Sequence, residues 1–396
     1  MSHQLMAPPP RVNRGGLRSR WLKLRDRLLI SERFQRFASS FPLFRPVARR
    51  RVDDLFSLCS GFVHTQVLLT CVRLNLFEMV RTEPRRMSYL VHRTGADAEG
   101  LRTLIEAAAG IRLLRIESVE PTHSQNQHDV MIGLGDLGGA LLGNPSVLDM
   151  INHHHHLYED LRDPVAFFSQ PREALNTTLS GYWPYAKAGE PAALTAESVS
   201  AYTELMGASQ AMIAAQVLAA YPLHKHQSLL DLGGGNGSFS TAVAQRIPHL
   251  DVQMFDLPAV ARRAQERVDS LGLSHRITPV GGDFFRDELP LGADLITLVR
   301  ILHDHDDAKV AVLLKAARRA IAAGGVLLIA EPLSTPEQPH QIADSYFGVY
   351  LRAMGSGRPR TAAHVDGLLA EAGFGATRQH RTDLPQLVRV LTCRPA

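Results

Sequence analysis

Residues 228–237 have the sequence SLLDLGGGNG, an apolar run of strand length followed at once by a glycine-rich turn. A strand and such a turn ahead of a helix form the unit from which parallel sheets with crossover helices are built. The glycines let backbone amides approach a ligand closely, because no Cβ obstructs positive-φ conformations. The carboxylate of Asp231, just before the turn, would oppose a diphosphate and suits a ligand that carries an ammonium group.

The same alternation of apolar strands and helices continues beyond this turn and predicts a doubly wound, mostly parallel α/β sheet. Strands are predicted at 228–232, 251–256, 277–281, 293–299 and 325–331, with a closing pair within about 377–393. The second strand ends at Asp256, 19 residues beyond Gly237, where a carboxylate accepts hydrogen bonds from ribose hydroxyls. The third ends at Gly282-Asp283-Phe284, which offers an acid for an exocyclic amine and a ring for adenine. Together the three strand ends suit an adenosyl amino acid.

These motifs resemble those of class I S-adenosylmethionine methyltransferases, in particular the caffeate and acetylserotonin O-methyltransferases and their bacterial relatives. The shared motifs are Asp256-Leu257-Pro258, Gly282-Asp283-Phe284, Arg300-Ile301-Leu302-His303-Asp304 and Glu331-Pro332. The resemblance covers about residues 53–393 and implies a seven-stranded, Rossmann-like cofactor domain after a helical, winged-helix-like dimerisation domain. It implies S-adenosylmethionine as cofactor, with Arg300 where the family usually has a lysine. The implied cofactor-binding residues are Asp231, Gly233, Gly235, Asp256, Leu257, Asp283, Phe284 and Arg300.

The resemblance also points to His303 as the catalytic base. Methyl transfer from a sulfonium requires the protein to position the acceptor oxygen and to remove its proton. Histidine suits that task because its unperturbed pKa of about 6.5 lies near working pH. Glu331 matches the first of the two glutamates that orient the base in the family. The second position falls on Pro359, which cannot orient a histidine, so proximity stays open as an alternative to proton abstraction.

Two histidine-rich segments raise the question of a metal site. Consecutive residues such as His303 to Asp307 rarely converge on one ion, and the resembling family is metal-independent, so no metal is expected. In the run His153 to His156, only His153 and His156 share a helix face. This run is expected to line a pocket or to lie on a solvated helix surface.

Composition predicts a soluble globular protein, with 45% hydrophobic and 21% charged residues. The chain has three cysteines without CxxC spacing, which indicates a reducing compartment and a cytoplasmic location. The predicted domains are a basic, partly disordered arm (1–51), a helical dimerisation and substrate domain (52–220) and a cofactor domain (221–396). The stretch Leu55 to Val80 is apolar but interrupted by polar residues, so it is expected to be a buried helix and not a membrane span.

The charge distribution is uneven. Residues 1–51 carry a net charge of +11 and the remainder −7, which favours an anionic surface as partner, a membrane or nucleic acid. Residues 1–20 are expected to be disordered and Trp21 to Phe37 to form an amphipathic helix. The alternative hypothesis of a DNA-binding regulator is less well supported. The region Ala96 to Gly110, which would contact DNA, has three acidic residues and one arginine, and this composition is unfavourable for phosphate contacts. The expected partner is therefore an anionic membrane face, reached peripherally, and no nucleic acid.

The candidate acceptor pocket is largely apolar, and with the basic arm it favours a lipophilic acceptor. Its expected residues are Tyr202, Met206, Tyr346, Phe347 and Met354. The arm and the helix from Asp53 to Phe77 resemble those of hydroxyneurosporene or demethylspheroidene O-methyltransferases, which implies the tertiary hydroxyl of an acyclic carotenoid. A bacteriochlorophyll, quinone or aromatic-metabolite methyltransferase would share the same cofactor residues and stays open. A homodimer is expected, with interface candidates Leu58, Phe62, Leu69 and Leu76.

Overall fold

The computed structural model describes residues 17–117, 130–182, 207, 210–335 and 342–396. The chain divides into two compact units, Met1–Asp136 and Leu137–Ala396. The helices of the first unit are α1 (Leu17–Ile30), α2 (Glu32–Ser40), α3 (Arg45–Arg73), α4 (Leu76–Met79), α5 (Met87–Thr94) and α6 (Ala98–Gly110). Its small antiparallel sheet has the order β1-β3-β2, formed by β1 (Arg85–Arg86), β2 (Leu114–Glu117) and β3 (Met131–Leu134).

The N-terminal helices differ from the sequence prediction in two ways. Helix α1 begins at Leu17, within the segment expected to be disordered. The helix expected from Trp21 to Phe37 is two helices, because Ser31 caps the second. The Ser31 side chain accepts a hydrogen bond from the Phe34 amide at 3.4 Å, which satisfies a free N–H of the first turn of α2.

The prediction of a buried apolar helix from Leu55 to Val80 is wrong for most of its length. In α3 the buried residues are Val67, Leu69 and Cys71, whereas the earlier turns are exposed. Hydropathy alone does not distinguish a core helix from one that awaits a partner surface. By length and composition alone, the 29-residue α3 could also cross a membrane, a weak criterion that the core helices of soluble proteins meet as well.

The four candidate interface residues separate into two pairs. Leu58 and Phe62 are 79% and 72% exposed, as an interface with a second copy requires. Leu69 and Leu76 are buried inside their own unit, so naming them as interface residues was wrong. The reason is that the C-terminal end of α3 packs against α4 and α6 of the same chain.

Helix α7 (Asp136–Leu142) begins at the last residue of the first unit. The helices that follow are α8 (Pro145–His153), α9 (His155–Asp160), α10 (Pro164–Ser169), α11 (Thr178–Tyr182), α12 (Gln210–Ala220), α13 (Ser238–Arg246), α14 (Pro258–Ser270), α15 (Asp307–Ala320), α16 (Ile342–Met354) and α17 (Ala362–Glu371). The strands are β4 (Ser228–Leu232), β5 (Asp251–Asp256), β6 (Ile277–Gly281), β7 (Ala293–Val299), β8 (Ile321–Glu331), β9 (Arg378–His380) and β10 (Arg389–Cys393).

These strands form the seven-stranded, mostly parallel sheet that the sequence predicts, in the order β6-β5-β4-β7-β8-β10-β9. Strands β4 to β8 pair in parallel, and β10 runs antiparallel to β8 and β9. Neighbouring residues alternate between two hydrophobic clusters, with Leu230 in one and Leu229 in the other, because side chains of a strand point to opposite faces. The carboxyl ends of the parallel strands therefore share one edge, where ligands bind in such sheets.

Candidate functional site

The turn between β4 and α13 lines a cavity at this edge of the sheet. The Gly233 amide donates to the Phe255 carbonyl at 2.8 Å, which ties the turn to β5. A Cβ on Gly234 would lie 2.2 Å from Cγ of Met254, so no larger residue fits there. Gly235 has φ +60°, and no neighbouring atom lies within 4 Å of the position its Cβ would take. Glycine at 235 thus provides both the left-handed turn and the open space beside it.

Asp231 lies beneath the turn and does not line the cavity. Its two carboxylate oxygens accept hydrogen bonds from the Ser240 hydroxyl at 2.7 Å and the Thr297 hydroxyl at 2.8 Å. Burial raises the pKa of Asp231 to about 6, although these hydrogen bonds oppose the shift. Asp231 therefore lies under the turn. Its carboxylate would not contact the ammonium group of a bound ligand, because the backbone of the turn lies between them.

Asp256, at the end of β5, was expected to bind the cofactor and lines the cavity. Its Oδ2 accepts from the Gly235 amide at 2.8 Å, and its Oδ1 accepts from the Leu257 amide at 2.7 Å. Burial raises the pKa of Asp256 to about 6, and the two backbone hydrogen bonds limit the rise. The carboxylate therefore holds the glycine turn in place and still faces the cavity.

The cavity is also lined by residues that the sequence did not predict. Asp283 and Phe284 line it as expected, and Phe285, His305 and Lys309 line it as well. The His305 ring lies edge-on to Phe285 at 4.9 Å between centroids, and the Lys309 ammonium lies 5.6 Å from that ring's centroid. Burial, then the charge of Lys309, lowers the pKa of His305 to about 3, so its imidazole is neutral. No local sequence signal marks Phe285 or Lys309.

The cavity fits an adenosyl amino acid. The open space beside Gly235 admits a ligand against the backbone, and Asp256 offers a carboxylate for ribose hydroxyls. Asp283 offers an acid and Phe284 an aromatic face for a purine, and Leu257 lines the same space. Seven of the eight predicted cofactor residues thus line the cavity, and the eighth, Asp231, does not.

His303 follows β7 on a short 3₁₀ turn, Leu302–Asp304, and also lines the cavity. Strand β7 ends at Val299, and Arg300 turns the chain with φ +60° while its amide donates to the Ala330 carbonyl at 2.8 Å. A non-glycine residue in this conformation is strained, which is common where a functional side chain must be aimed. The turn directs the buried His303 ring towards the end of β8.

Glu331, the last residue of β8, contacts His303, the residue that it was expected to orient. Oε2 of Glu331 lies 2.5 Å from Nδ1 of His303, and Oε1 accepts from the amides of Ile301 at 2.8 Å and Leu302 at 2.6 Å. Because a carboxylate only accepts, Nδ1 carries the proton and Nε2 keeps its lone pair in the neutral ring. One glutamate therefore positions both the ring and the turn that carries it, although proline stands at position 359.

The charges around His303 favour its protonated form. Burial alone would lower the pKa of His303, but the charges of Asp304 and Glu331, with the Glu331 hydrogen bond, raise it above its usual value. Oδ1 of Asp304 lies 3.2 Å from Nε2 of His303. Burial raises the pKa of Asp304 itself to about 6. Among the described residues, no group of three or more His, Cys, Asp or Glu is placed to hold a metal ion.

The loop after α16 holds the His303 turn from the other side. The buried Arg360 guanidinium donates to the carbonyls of Leu302 and His305 and to the carboxylate of Asp307. Gly357 has φ +75°, and a Cβ there would lie 2.0 Å from the His303 carbonyl oxygen. The position of the family's second glutamate falls on Pro359, and the residue that holds the turn is its neighbour Arg360, which the sequence did not indicate.

The described acceptor residues that the sequence predicted have different surroundings in the structure. The ring of Phe347 lies 6.3 Å from the His303 ring, and the Tyr346 hydroxyl lies 2.9 Å from Nε2 of His154. Met354 is buried in a hydrophobic cluster with Phe167 and does not line the cavity. Tyr202 and Met206 lie outside the described residues.

The histidine run does not form one solvated helix surface. Helix α8 ends at His153 and α9 begins at His155, so the run is broken at His154. His153 is buried, with Nε2 2.9 Å from the Tyr350 hydroxyl, and burial lowers its pKa to about 3. Together with His154, it ties this region to α16 through neutral imidazole–tyrosine hydrogen bonds.

Two family models match the chain. Residues 160–375 match an O-methyltransferase domain, and residues 56–129 match an O-methyltransferase dimerisation domain. Demethylspheroidene O-methyltransferase of Cereibacter sphaeroides is 38% identical over 352 residues, 89% of this chain and 89% of the relative. The enzyme of the same name from Rhodobacter capsulatus is 34% identical over 368 residues, 92% of this chain and 88% of the relative.

Solved structures agree on the fold. The calicheamicin-biosynthesis methyltransferase with SAH bound has a TM-score of 0.71 at 24% identity, covering 88% of this chain and 98% of that one. Human N-acetylserotonin methyltransferase in complex with SAM has a TM-score of 0.67 at 22% identity, covering 87% of this chain and 98% of that one.

Proposed function

The chain belongs to the S-adenosylmethionine-dependent O-methyltransferases, and we propose that its acceptor is the tertiary hydroxyl of an acyclic carotenoid, with His303 as the base. The acceptor proposal rests on the relatives named demethylspheroidene O-methyltransferase, which align with about nine-tenths of the chain. The proposal for the base rests on the contact between His303 and Glu331 at the cavity.

In the proposed mechanism the protein removes one proton and positions one oxygen. S-adenosylmethionine supplies a methyl group on a sulfonium, which is already activated for displacement. Nε2 of His303 takes the acceptor's hydroxyl proton, since Nδ1 is occupied by Glu331. Glu331 and Asp304 then stabilise the imidazolium, because their charges favour the protonated ring. Phe347, next to His303, contributes an apolar surface for a lipophilic acceptor.

The acceptor is tested by incubating the protein with labelled S-adenosylmethionine and a panel of alcohols. The panel contains an acyclic hydroxycarotenoid in mixed micelles, a hydroxyquinone, a catechol and N-acetylserotonin. We expect label in a carotenoid methyl ether, identified by mass spectrometry, and little in the other products. Preferential labelling of the quinone or the catechol would contradict the carotenoid proposal and leave the cofactor assignment intact.

Turnover is expected to rise with pH through a midpoint above 6.5. The reason is that neutral His303 is the active form, and its pKa is raised above the usual value in the folded protein. Acidification below the midpoint protonates Nε2 and removes the base, so the rate falls as pH falls. The measurement is kcat/KM from about pH 5.5 to 9, with cofactor saturating. A rate that stays flat across this range would argue that no histidine base acts.

We also propose that the chain is a homodimer held through the matched dimerisation domain, with exposed Leu58 and Phe62 at the interface. Burying such side chains against a second copy removes apolar surface from water.

The functional division proposed is an arm (1–51), a helical region (52–220) and a cofactor region (221–396). The matched O-methyltransferase domain begins at residue 160, so part of the helical region belongs to it.

The arm is proposed to hold the enzyme on anionic membranes. Residues 1–51 carry +11, and each Lys or Arg near an anionic bilayer contributes about 1 kcal/mol. Trp21 and Leu24 are exposed on α1, which leaves them free to enter the interface. A carotenoid is nearly insoluble in water, so residence on the membrane raises the acceptor concentration that the enzyme meets.

Removal of residues 1–44, which carry most of the arm's charge, is expected to release the protein from anionic vesicles. The deletion is placed after Phe44, because α3 begins at Arg45 and should stay whole. Co-sedimentation at low salt should fall, while S-adenosylmethionine affinity by calorimetry stays that of the full chain. Turnover of membrane-presented carotenoid should slow, and turnover of micellar carotenoid should not. Equal sedimentation of both proteins would show that the arm does not bind lipid.

A further inference from the structure

Four phenylalanines at the junction of α2 and α3 form a surface that the sequence analysis did not identify. The phenylalanine cluster consists of Phe34, Phe37, Phe41 and Phe44. Ring centroids are 5.2 Å apart for Phe37 and Phe41 and 5.7 Å apart for Phe41 and Phe44. Phe37, Phe41 and Phe44 are 48%, 39% and 46% exposed. Contiguous exposed aromatic rings indicate an interaction surface, because water contact with so much apolar area is unfavourable.

Local geometry explains why the rings gather. Phe34, Phe37 and Phe41 are spaced i, i+3 and i+7, which puts them on one face of a helix. The turn after α2 returns the chain at Phe44, whose ring lies 6.3 Å from that of Phe37. Ala38 is buried, and α2 packs against α3 and α1. The helix is thus anchored while its phenylalanine face stays exposed.

The phenylalanine cluster lies outside both matched family models. The matched dimerisation domain begins at residue 56 and the matched O-methyltransferase domain at residue 160. Within the dimerisation domain, the exposed Leu58 and Phe62 already supply an apolar surface for a second copy. The cluster is therefore separate in sequence from both the cofactor site and the proposed dimer contact.

The charges around the phenylalanine cluster complement an anionic surface. Arg33 and Arg36 lie on the same helix, and Arg45 and residues 49–51 follow the cluster directly. All of these arginines are exposed. Residues 17–51 contain eleven Lys or Arg against two acids, so an anionic surface is attracted along the whole segment. Aromatic rings flanked by arginines suit the boundary between lipid headgroups and acyl chains.

We propose that the phenylalanine cluster inserts into the acyl region of an anionic bilayer while the neighbouring arginines bind its headgroups. The inference rests on the membrane contact proposed for residues 1–51, and it is independent of the acceptor and of His303. The electrostatic part of the binding is assigned to the arginines and the hydrophobic part to the phenylalanines. Arginine contacts weaken as salt screens them, whereas burial of phenylalanine in hydrocarbon persists at high salt.

The test uses full-length protein and vesicles of phosphatidylcholine with about one third phosphatidylglycerol. The variant is the double substitution Phe37→Ser/Phe41→Ser, which alters exposed side chains and leaves the buried Ala38 in place. The control is Phe168→Ser, which alters another exposed phenylalanine, in the second unit and 56% exposed. Partition is measured by co-sedimentation at low salt and at about 0.5 M salt. Light scattering gives the oligomeric state of each protein.

We expect wild type and control to stay partly bound at high salt, and the double variant to lose at least about tenfold in partition coefficient there. If high salt abolished binding of the wild type completely, the proposed insertion of the phenylalanines would be wrong, and the arginine contact with headgroups would still explain the binding at low salt. If the double variant partitioned like wild type, the proposed insertion would also be wrong. If that variant were in addition monomeric, the phenylalanine cluster would belong to an interface with a second copy of the chain. If no protein sediments even at low salt, the membrane contact itself fails, and carotenoid turnover in micelles still tests the proposed activity separately.

Discussion

His303→Ala is expected to lower turnover by about 10²–10⁴-fold, the usual cost of losing a general base. The side chain removed is the one whose Nδ1 contacts Glu331 and whose Nε2 is proposed to take the acceptor's proton. Affinity for S-adenosylmethionine should stay within about twofold, because the glycine turn and Asp256 are untouched. The rate is measured under single-turnover conditions, so that product release does not mask the chemical step.

Two further variants make this prediction specific. His303→Gln keeps a polar side chain of similar reach beside Glu331 but has no titratable nitrogen, so its turnover should fall like that of the alanine variant. His275→Ala removes an exposed histidine between α14 and β6 and should turn over like wild type. A loss of less than about tenfold in both His303 variants would favour the proximity mechanism that proline at position 359 leaves open.

Gly235→Val is expected to abolish measurable S-adenosylmethionine binding. A Cβ at Gly235 would project where no atom lies within 4 Å, beside a cavity that the residue lines. The branched side chain would occupy ligand space, and φ +60° is strained for valine. Binding is measured by calorimetry and, independently, by the thermal shift that the ligand causes.

Gly272→Val is the matched control for the strain. Gly272 also has a left-handed φ, +67°, and also has open space around its Cβ position, but it does not line the cavity. Both variants should therefore lose similar stability, while the Gly235 variant alone should lose the ligand. If the two variants bind S-adenosylmethionine equally well, the cavity beside Gly235 is not the cofactor site.

Short-range patterns in the sequence predicted the sheet and its central site. Alternation of apolar residues located β4, β5, β6 and β7 with the bounds that the structure has. It predicted β8 from residue 325, whereas the strand begins at Ile321. A register shift between β7 and β8 at Ala293 and Leu295 accompanies this extension, and alternation alone does not reveal such irregularities. His303 and Glu331 were predicted as partners from the family resemblance, and the structure brings them into contact at the ends of the neighbouring strands β7 and β8.

Other features depend on contacts between distant segments. Arg360 holds the His303 turn from more than fifty residues away, and nothing near Arg360 in sequence marks that role. Phe285 and Lys309 reach the cavity only because Phe285 follows the end of β6 and Lys309 lies in the first turn of α15. Met354 was expected at the acceptor pocket and instead fills a hydrophobic cluster. In each case the side chain's neighbours come from elements that local patterns do not place.

The sequence by itself determined the parallel sheet and the glycine turn, because strand period and positive φ are local properties. Tertiary structure alone decided which apolar residues are covered. Leu58 and Leu69 have the same side chain on the same helix, yet one is exposed and the other buried. The free energy of burial depends on what packs against a residue, and that is a property of the folded chain and not of the residue type.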